Sequence, residues 1–207
     1  MTYDVLILAD GLFPEKEEVR RLISESPFVI CCDGAAQKLI DFGRMPDFVV
    51  GDLDSLPTSI QKTLGERLIH IPDQNTNDLT KAVQLAISKG WKKILITGAT
   101  GLREDHTLGN ISLLHKYLEW VDSVEIISDF GRFTPIIYCS TFSSFVGQQI
   151  SLFTLTPDCP ISVENLRYPI ENRTLDSWWM GTLNEALGES FTVKLHGAGK
   201  FIVYQAF

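Results

Sequence analysis

Two carboxylates stand two residues apart in GDLDSL, residues 51 to 56, directly behind the apolar run PDFVV. Charges that close repel, and each is costly to desolvate unless something neutralises it. A solvated turn is one explanation, because Asp and Gly serve turns through local hydrogen bonds. A shared cation is the other. The choice depends on what else the fold brings alongside Asp52 and Asp54.

Six short apolar runs read as strands: YDVLILAD, FVICCD, DFVVGD, RLIHIP, KKILITG and SVEIISD. Helical segments lie among them. The first opens at Pro14, and AAQKLIDFG and DLTKAVQLAISKG close at Gly43 and Gly90. The last is HTLGNISLLHKYLEW. Short apolar strands separated by helices imply parallel pairing, helices on both faces and right-handed crossovers. Beyond residue 130 the helical period fades. TPIIYCS, QQISLFTLT, ISVENLRYPI, SFTVKLHG and KFIVYQAF alternate between turn residues. The expected fold is an α/β domain over residues 1–130, an open, mostly parallel sheet flanked by helices. A C-terminal antiparallel β-sandwich domain is expected over 131–207.

In open parallel sheets, ligands bind beyond the carboxyl ends of the strands. Five successive strand ends carry Asp. They are Asp10, Asp33, the Asp52/Asp54 pair, the stretch Asp73-Gln74-Asn75-Thr76-Asn77-Asp78, and the loop from Thr97 to His106. Asp10 and Asp33 read better as turn or helix-cap residues. Asp52, Asp54, Asp78 and Asp105 together read as a site. Clustered carboxylates suit a hard cation such as Mg²⁺, which keeps waters and bridges to substrate phosphates. With no Cys pair and one His nearby, the cluster is a poor zinc site. Gly98-Ala99-Thr100-Gly101 can bring backbone amides to a phosphate at the start of the next helix. Neither a GxxxxGK[ST] loop nor a GxGxxG fingerprint is present. Arg103 can clamp a phosphate bidentately. Lys81 is either a second positive charge or a solvated helix lysine. The carboxylates behind Val50 are best explained by a Mg²⁺–nucleotide site.

Composition narrows the partners. The 207 residues are 44% hydrophobic, and 18 Lys+Arg against 26 Asp+Glu leave a net charge of -8. A basic footprint for nucleic acid is missing. The four cysteines form no CxxC pair, and Cys31-Cys32 sit in an apolar run, which fits a reducing cytoplasm. The start of the chain lacks the positive region and cleavage site of a signal peptide. Residues 133 to 157 carry no charge and are long enough to span a bilayer. Pro135, Gly147 and many polar residues break them into strand-length pieces, so β-structure rather than a membrane span is expected.

PDFVVGDLDSL, PDQNTNDLTKA and GATGLREDHTLGNI, in this order and spacing, resemble the thiamine pyrophosphokinase (thiamine diphosphokinase) family. LRYPIEN followed by GTLNEA resembles that family's second-domain pattern, so the likeness spans nearly the whole chain. The resemblance implies transfer of a diphosphate group from ATP to the hydroxyl of thiamine, giving thiamine diphosphate and AMP. It implies Mg²⁺ as cofactor. It implies a homodimer, with thiamine in a cleft to which both subunits contribute.

Carried onto this chain, Asp52 and Asp54 match the carboxylates for metal and diphosphate. Asp78 would join them as a metal ligand, with Gln74, Asn77 and Lys81 of its segment on the substrate. Arg103, Asp105 and His106 match the Arg-x-Asp-His loop. Asp33 matches the acidic residue of a DGGA-like turn. Tyr168 stands where an aromatic packs on thiamine, with Thr182 and Asn184 beside it. Asp52, Asp54, Asp78, Arg103 and Asp105 would form the catalytic set. Either Asp78 or Asp105 would accept the hydroxyl proton.

Two positions depart from the pattern. Leu102 replaces a glycine, and its Cβ is expected to restrict positive φ in the loop. Leu183 replaces a serine, leaving Thr182 to supply a hydroxyl. Of Trp178 and Trp179, one is expected in the core and the other at an interface or pocket. The rival readings are a nucleotide-dependent transferase with another acceptor alcohol and a ligand-binding regulator without catalysis.

Overall fold

A computed structural model describes residues 3–53 and 56–207 of the chain. Asp54, one of the expected metal ligands, lies outside the described residues. The chain divides into two compact units, Met1–Asp129 and Phe130–Phe207.

The first unit alternates strand and helix. Its elements are β1 (Val5–Leu8), α1 (Glu17–Glu25), β2 (Val29–Cys32), α2 (Ala35–Asp41), β3 (Phe48–Gly51), α3 (Thr58–Leu64), β4 (Leu68–His70), α4 (Asp78–Ser88), β5 (Lys93–Thr97), α5 (Glu104–Leu118) and β6 (Ser123–Ile127). The strands pair in parallel in the order β6-β5-β1-β2-β3-β4. β1 is buried along its whole length, and so is β2, which fits strands covered on both faces. Leu6, Leu8, Cys31, Val49 and Leu95 share one core with Val19 and Ile23 of α1 and Leu39 of α2. Helix α4 lies against β1, β2 and β3, presenting Leu79, Ala82, Val83 and Ala86 as buried residues. Their spacing at i, i+3, i+4 and i+7 is that of one helix face.

Helix α3 had no counterpart in the sequence reading. It is seven residues long and buries only Leu64, so its apolar period is too short to register. The parallel pairing of β3 with β4 nevertheless demands a crossover there.

The second unit is antiparallel. β7 (Gly131–Ile136), β8 (Ser140–Ser143), β9 (Gln149–Thr154), β10 (Ile161–Glu164), β11 (Asn184–Glu185), β12 (Ser190–Leu195) and β13 (Phe201–Ala206) are its strands. One sheet runs β11-β9-β13-β7 and the other β10-β12-β8. Ile150, Leu152, Ile161, Phe191, Val193, Phe201 and Val203 fill the core between them. The run ISVENLRYPI, expected as one strand, stops at Glu164, where Asn165 adopts φ 60°. Asn tolerates that left-handed conformation better than most residues.

Candidate active site

The strand order of the first unit reverses between β1 and β5. From β1 the chain steps outward through β2, β3 and β4, then returns to β5 on the other side. The loops leaving β1 and β5 are bonded together at this switch point. Gly11 N–H donates to Gly98 O at 2.6 Å, and Leu12 N–H to Thr100 O at 2.9 Å. Gly98 has φ 67°, and a Cβ there would lie 2.5 Å from the Ala9 carbonyl oxygen. Only glycine fits so close an approach.

A cleft of about 440 Å³ opens beside this junction. Its wall brings together Asp33, Asp52, Gln74, Asn77, Asp78, Lys81, Arg103 and His106 from the ends of β2, β3, β4 and β5. Asp105 is not on that wall. Tyr168, Thr182 and Asn184 belong to the second unit.

The local chemistry explains how each side chain is held. Asp73 accepts from Asn75 N–H at 3.1 Å and Thr76 Oγ1 at 2.9 Å, folding the loop after β4 back on itself. These bonds lower the Asp73 carboxyl, the Asn75 amide contributing most. Asn77 caps α4, its Oδ1 accepting from Thr80 N–H at 2.9 Å. Asp78 then occupies the first turn, where the helix dipole favours a negative charge. Lys81 lies one turn on, 3% exposed, with Nζ 2.9 Å from Asp78 Oδ1. It is not the solvated helix lysine that its sequence also allowed.

Gln74 Nε2 donates to Asp52 Oδ2 at 3.3 Å. The residue after Asp52, Leu53, has φ 65°, and Asp33 has φ 35°. Non-glycine residues held in this region store strain, which gathers at functional sites. Arg103 grips Asp105 with two bonds, Nε to Oδ1 at 3.0 Å and Nη2 to Oδ2 at 2.5 Å. The guanidinium, followed by the His106 N–H, holds the Asp105 carboxyl down at about 2. The restriction expected at Leu102 does not arise. The positive φ of this loop falls on Gly98 and on Gly101 (φ 93°), so the Leu102 side chain stands exposed at the rim without strain.

Sequence reasoning passed over Thr107 and Asn110, which also line the cleft. With Arg103 and His106 they recur at i, i+3, i+4 and i+7. That spacing was the available signal of one helix face. Asp10, weighed as a turn residue, lines the cleft too, its carboxylate 2.7 Å from Lys38 Nζ.

In the second unit, Asn184 is 5% exposed and its amide is taken up by backbone. Oδ1 accepts from Tyr168 N–H at 3.0 Å and Glu185 N–H at 2.9 Å, while Nδ2 donates to Tyr168 O at 2.7 Å. These bonds make Asn184, expected as a substrate contact, a clamp that presents Tyr168. Tyr168 itself is exposed, as is Leu183, which adopts φ 58°. Thr182 Oγ1 donates to Trp179 O at 2.8 Å. Trp178 meets Phe153 edge-on and donates its indole N–H to Thr154 O at 2.8 Å, yet it is 39% exposed and Trp179 is 74% exposed, so neither is the core tryptophan expected.

The fit of the cleft to a metal follows from its donors. Among the described residues no three His, Cys, Asp or Glu side chains form a ready metal cage. Mg²⁺ does not need one, because one or two carboxylates suffice when substrate phosphates and water complete its shell. Asp52 and Asp78 supply such hard oxygen donors. The one thiol on the wall, Cys32, is pushed well above its ordinary range by burial and then by the Asp78 charge.

The first unit is an open parallel α/β unit with an acidic cleft at its switch point, and the second is an antiparallel β unit. The family model described as "Thiamin pyrophosphokinase, catalytic domain" matches residues 19–127, and "Thiamin pyrophosphokinase, substrate-binding domain" matches residues 131–204. The chain belongs to the thiamin pyrophosphokinase family. It is 28% identical to thiamin pyrophosphokinase 1 of Caenorhabditis elegans over 172 residues, covering 75% of this chain and 69% of that one. It is 35% identical to thiamine pyrophosphokinase of Bacillus subtilis over 88 residues, 41% of each. Its fold is that of the crystal structure of the thiamine pyrophosphokinase from Bacillus subtilis, with TM-score 0.81, 23% identity and 98% of each chain covered. The thiamin pyrophosphokinase from Candida albicans aligns with TM-score 0.80 at 18% identity, over 100% of this chain and 94% of that one.

Proposed function

We propose that the protein is a thiamine diphosphokinase that transfers diphosphate from ATP to the hydroxyl of thiamine, giving thiamine diphosphate and AMP. The observation that carries the reading is the switch-point cleft. Two carboxylates, Asp52 and Asp78, share it with a buried ammonium, Lys81, and a guanidinium, Arg103. Such a mix suits a polyanionic substrate brought in with a divalent cation.

Asp52 and Asp78, with Asp54 two residues after Asp52 in sequence, are the residues that would hold Mg²⁺. A Mg²⁺ held by these carboxylates would supply positive charge to offset that of the phosphates. Asp33, Gln74, Asn77 and His106 complete the nucleotide wall. The thiamine oxygen attacks the β-phosphorus, the bond from that phosphorus to the α-phosphate oxygen breaks, and AMP leaves. Arg103 faces the transferred group and offsets its charge. The hydroxyl proton needs a carboxylate. Asp78 lines the cleft and Asp105 does not, which favours Asp78.

The second unit receives thiamine. Tyr168, presented by Asn184, offers an exposed ring for a cationic thiazolium or an aminopyrimidine. Thr182 is the hydroxyl nearest in sequence, since Leu183 has none. Exposed Trp179, Tyr168 and Leu183 give this unit an apolar surface suited to a second copy, and the working form is a homodimer with the site between subunits. No described helix is long and apolar enough to cross a membrane. The four free cysteines suit the reducing cytoplasm.

The test is AMP release from ATP and Mg²⁺, with and without thiamine. Thiamine-dependent AMP, matched by thiamine diphosphate, supports the reading, and ADP in its place refutes diphosphate transfer. Asp52→Asn should lower turnover by about 10²-fold or more with the fold intact. Wild-type turnover in that variant at matched Mg²⁺ refutes the placement of the site.

A further inference from the structure

A chain of hydrogen bonds runs from the cleft wall inward to two side chains that do not line it, Thr80 and Tyr117. Tyr117, near the end of α5, is fully buried, and its hydroxyl lies 2.8 Å from Thr80 Oγ1. Thr80, 4% exposed, has the same Oγ1 2.6 Å from Asn77 Oδ1. Asn77 Nδ2 reaches Asn110 Oδ1 at a long 3.4 Å, and Asn110 Nδ2 donates to the Ala99 carbonyl at 2.9 Å.

The donor directions follow from what each group can do. The Ala99 carbonyl can only accept, so Asn110 turns its NH₂ to it and its oxygen to Asn77. Asn77 therefore turns Nδ2 to Asn110 and keeps Oδ1 for Thr80, as the cap on the Thr80 N–H also requires. The single Thr80 hydroxyl proton goes to Asn77. Tyr117 must then donate to Thr80, and burial keeps its phenol protonated.

This chain ties three elements together: the end of α5, the first turn of α4 and the loop after β5. Asn77 immediately precedes Asp78, Lys81 immediately follows Thr80, and Ala99 belongs to the Gly98–Gly101 loop. All but Tyr117 and Thr80 line the cleft. We propose that Tyr117 and Thr80 are positioning residues: through Asn77 and Asn110 they hold the Asp78–Lys81 pair in register with the Ala99–Thr100 backbone, setting the grip on the nucleotide. The proposal rests on reading the cleft as the ATP site.

The variants that test it keep shape and remove one hydroxyl each: Tyr117→Phe, Thr80→Val and the double variant, with Thr80→Ser as rescue. Tyr117→Phe and Thr80→Val should each lower kcat/KM for ATP about tenfold, with KM for thiamine unchanged. Tyr117 acts only through Thr80. The double variant should therefore lose no more than Thr80→Val alone, and Thr80→Ser should recover most of the activity. Wild-type kcat/KM in Tyr117→Phe, or losses that multiply in the double variant, would overturn the proposal and leave the hydroxyls as fold stabilisers only. Amide hydrogen exchange on the ligand-free protein gives a readout independent of turnover. Exchange at Thr80 N–H should quicken about tenfold in Tyr117→Phe. Unchanged exchange there sinks the brace even if the wild type makes AMP. A wild type that makes no AMP, with exchange quickened as expected, sinks the reading of the cleft and leaves the brace standing.

Discussion

The Asp78–Lys81 pair is unevenly buried, and that asymmetry makes a quantitative prediction. Lys81 is 3% exposed while the Asp78 side chain is 34% exposed. Removing the carboxylate in Asp78→Ala leaves a buried ammonium without its partner. Breaking a buried pair costs about 3–5 kcal/mol, and the low end applies because water can enter where the carboxylate stood. Removing the ammonium in Lys81→Met keeps the packing volume and leaves Asp78 partly hydrated, at about 1 kcal/mol. For a chain of 207 residues, each kcal/mol moves Tm by about 2–4 °C. Asp78→Ala should then melt about 6–12 °C low, and Lys81→Met about 2–4 °C low. The double variant Asp78→Ala/Lys81→Met should regain most of the Asp78→Ala loss, because no lone charge remains buried. Its turnover should still be lower by about 10²-fold or more. Calorimetry without nucleotide or Mg²⁺ gives the melting points, and AMP release gives turnover. Equal losses in the two single variants, or a double variant as unstable as Asp78→Ala, would refute the reasoning.

The Asp105 carboxyl should titrate at about 2 and return toward 3.8 in Arg103→Gln, as read by carboxyl-carbon NMR. Because its folded value is depressed, the stability it lends is full above about pH 4 and lost as pH falls through about 2; a midpoint unmoved by Arg103→Gln would refute the bidentate grip. Leu183→Gly should raise Tm by about 1–4 °C, since an exposed side chain at φ 58° loses strain and little burial; a fall in Tm would show that Leu183 packs more than its exposure indicates. Trp179→Ala should weaken self-association at least tenfold by sedimentation velocity while Tm of the monomer holds, because the indole is exposed in a single copy; an unchanged association state would remove Trp179 from the interface.

The acidic rim was legible because strand ends announce themselves. An apolar run followed by Asp or Gly marks a carboxyl end, and in a parallel sheet all such ends lie on one side. That reasoning brought Asp33, Asp52, Gln74, Asn77, Asp78, Lys81, Arg103 and His106 to one wall. It went astray where partners decide roles. It did not foresee that the Asn184 amide bonds the backbone of Tyr168 and Glu185. Leu102 looked strained, but the turn places its positive φ on Gly101. Helix α3 was invisible because seven residues with one buried apolar side chain leave no period.

The sequence by itself determined the elements and their order, since apolar runs of strand length, helical stripes and caps are local properties. It also determined the family, through motifs spread over most of the chain. Tertiary structure alone decided which face each polar group meets. Lys81 reads identically in sequence whether it is solvated or buried, and only the packing of α4 on the sheet places it 3% exposed against Asp78. Tyr117 reads as another core aromatic until the fold sets its hydroxyl on Thr80, 37 residues away. The physical reason is the same in both cases. Propensity and hydrophobic period act over a few residues, whereas desolvation and hydrogen-bond partnership depend on neighbours that only the folded chain supplies.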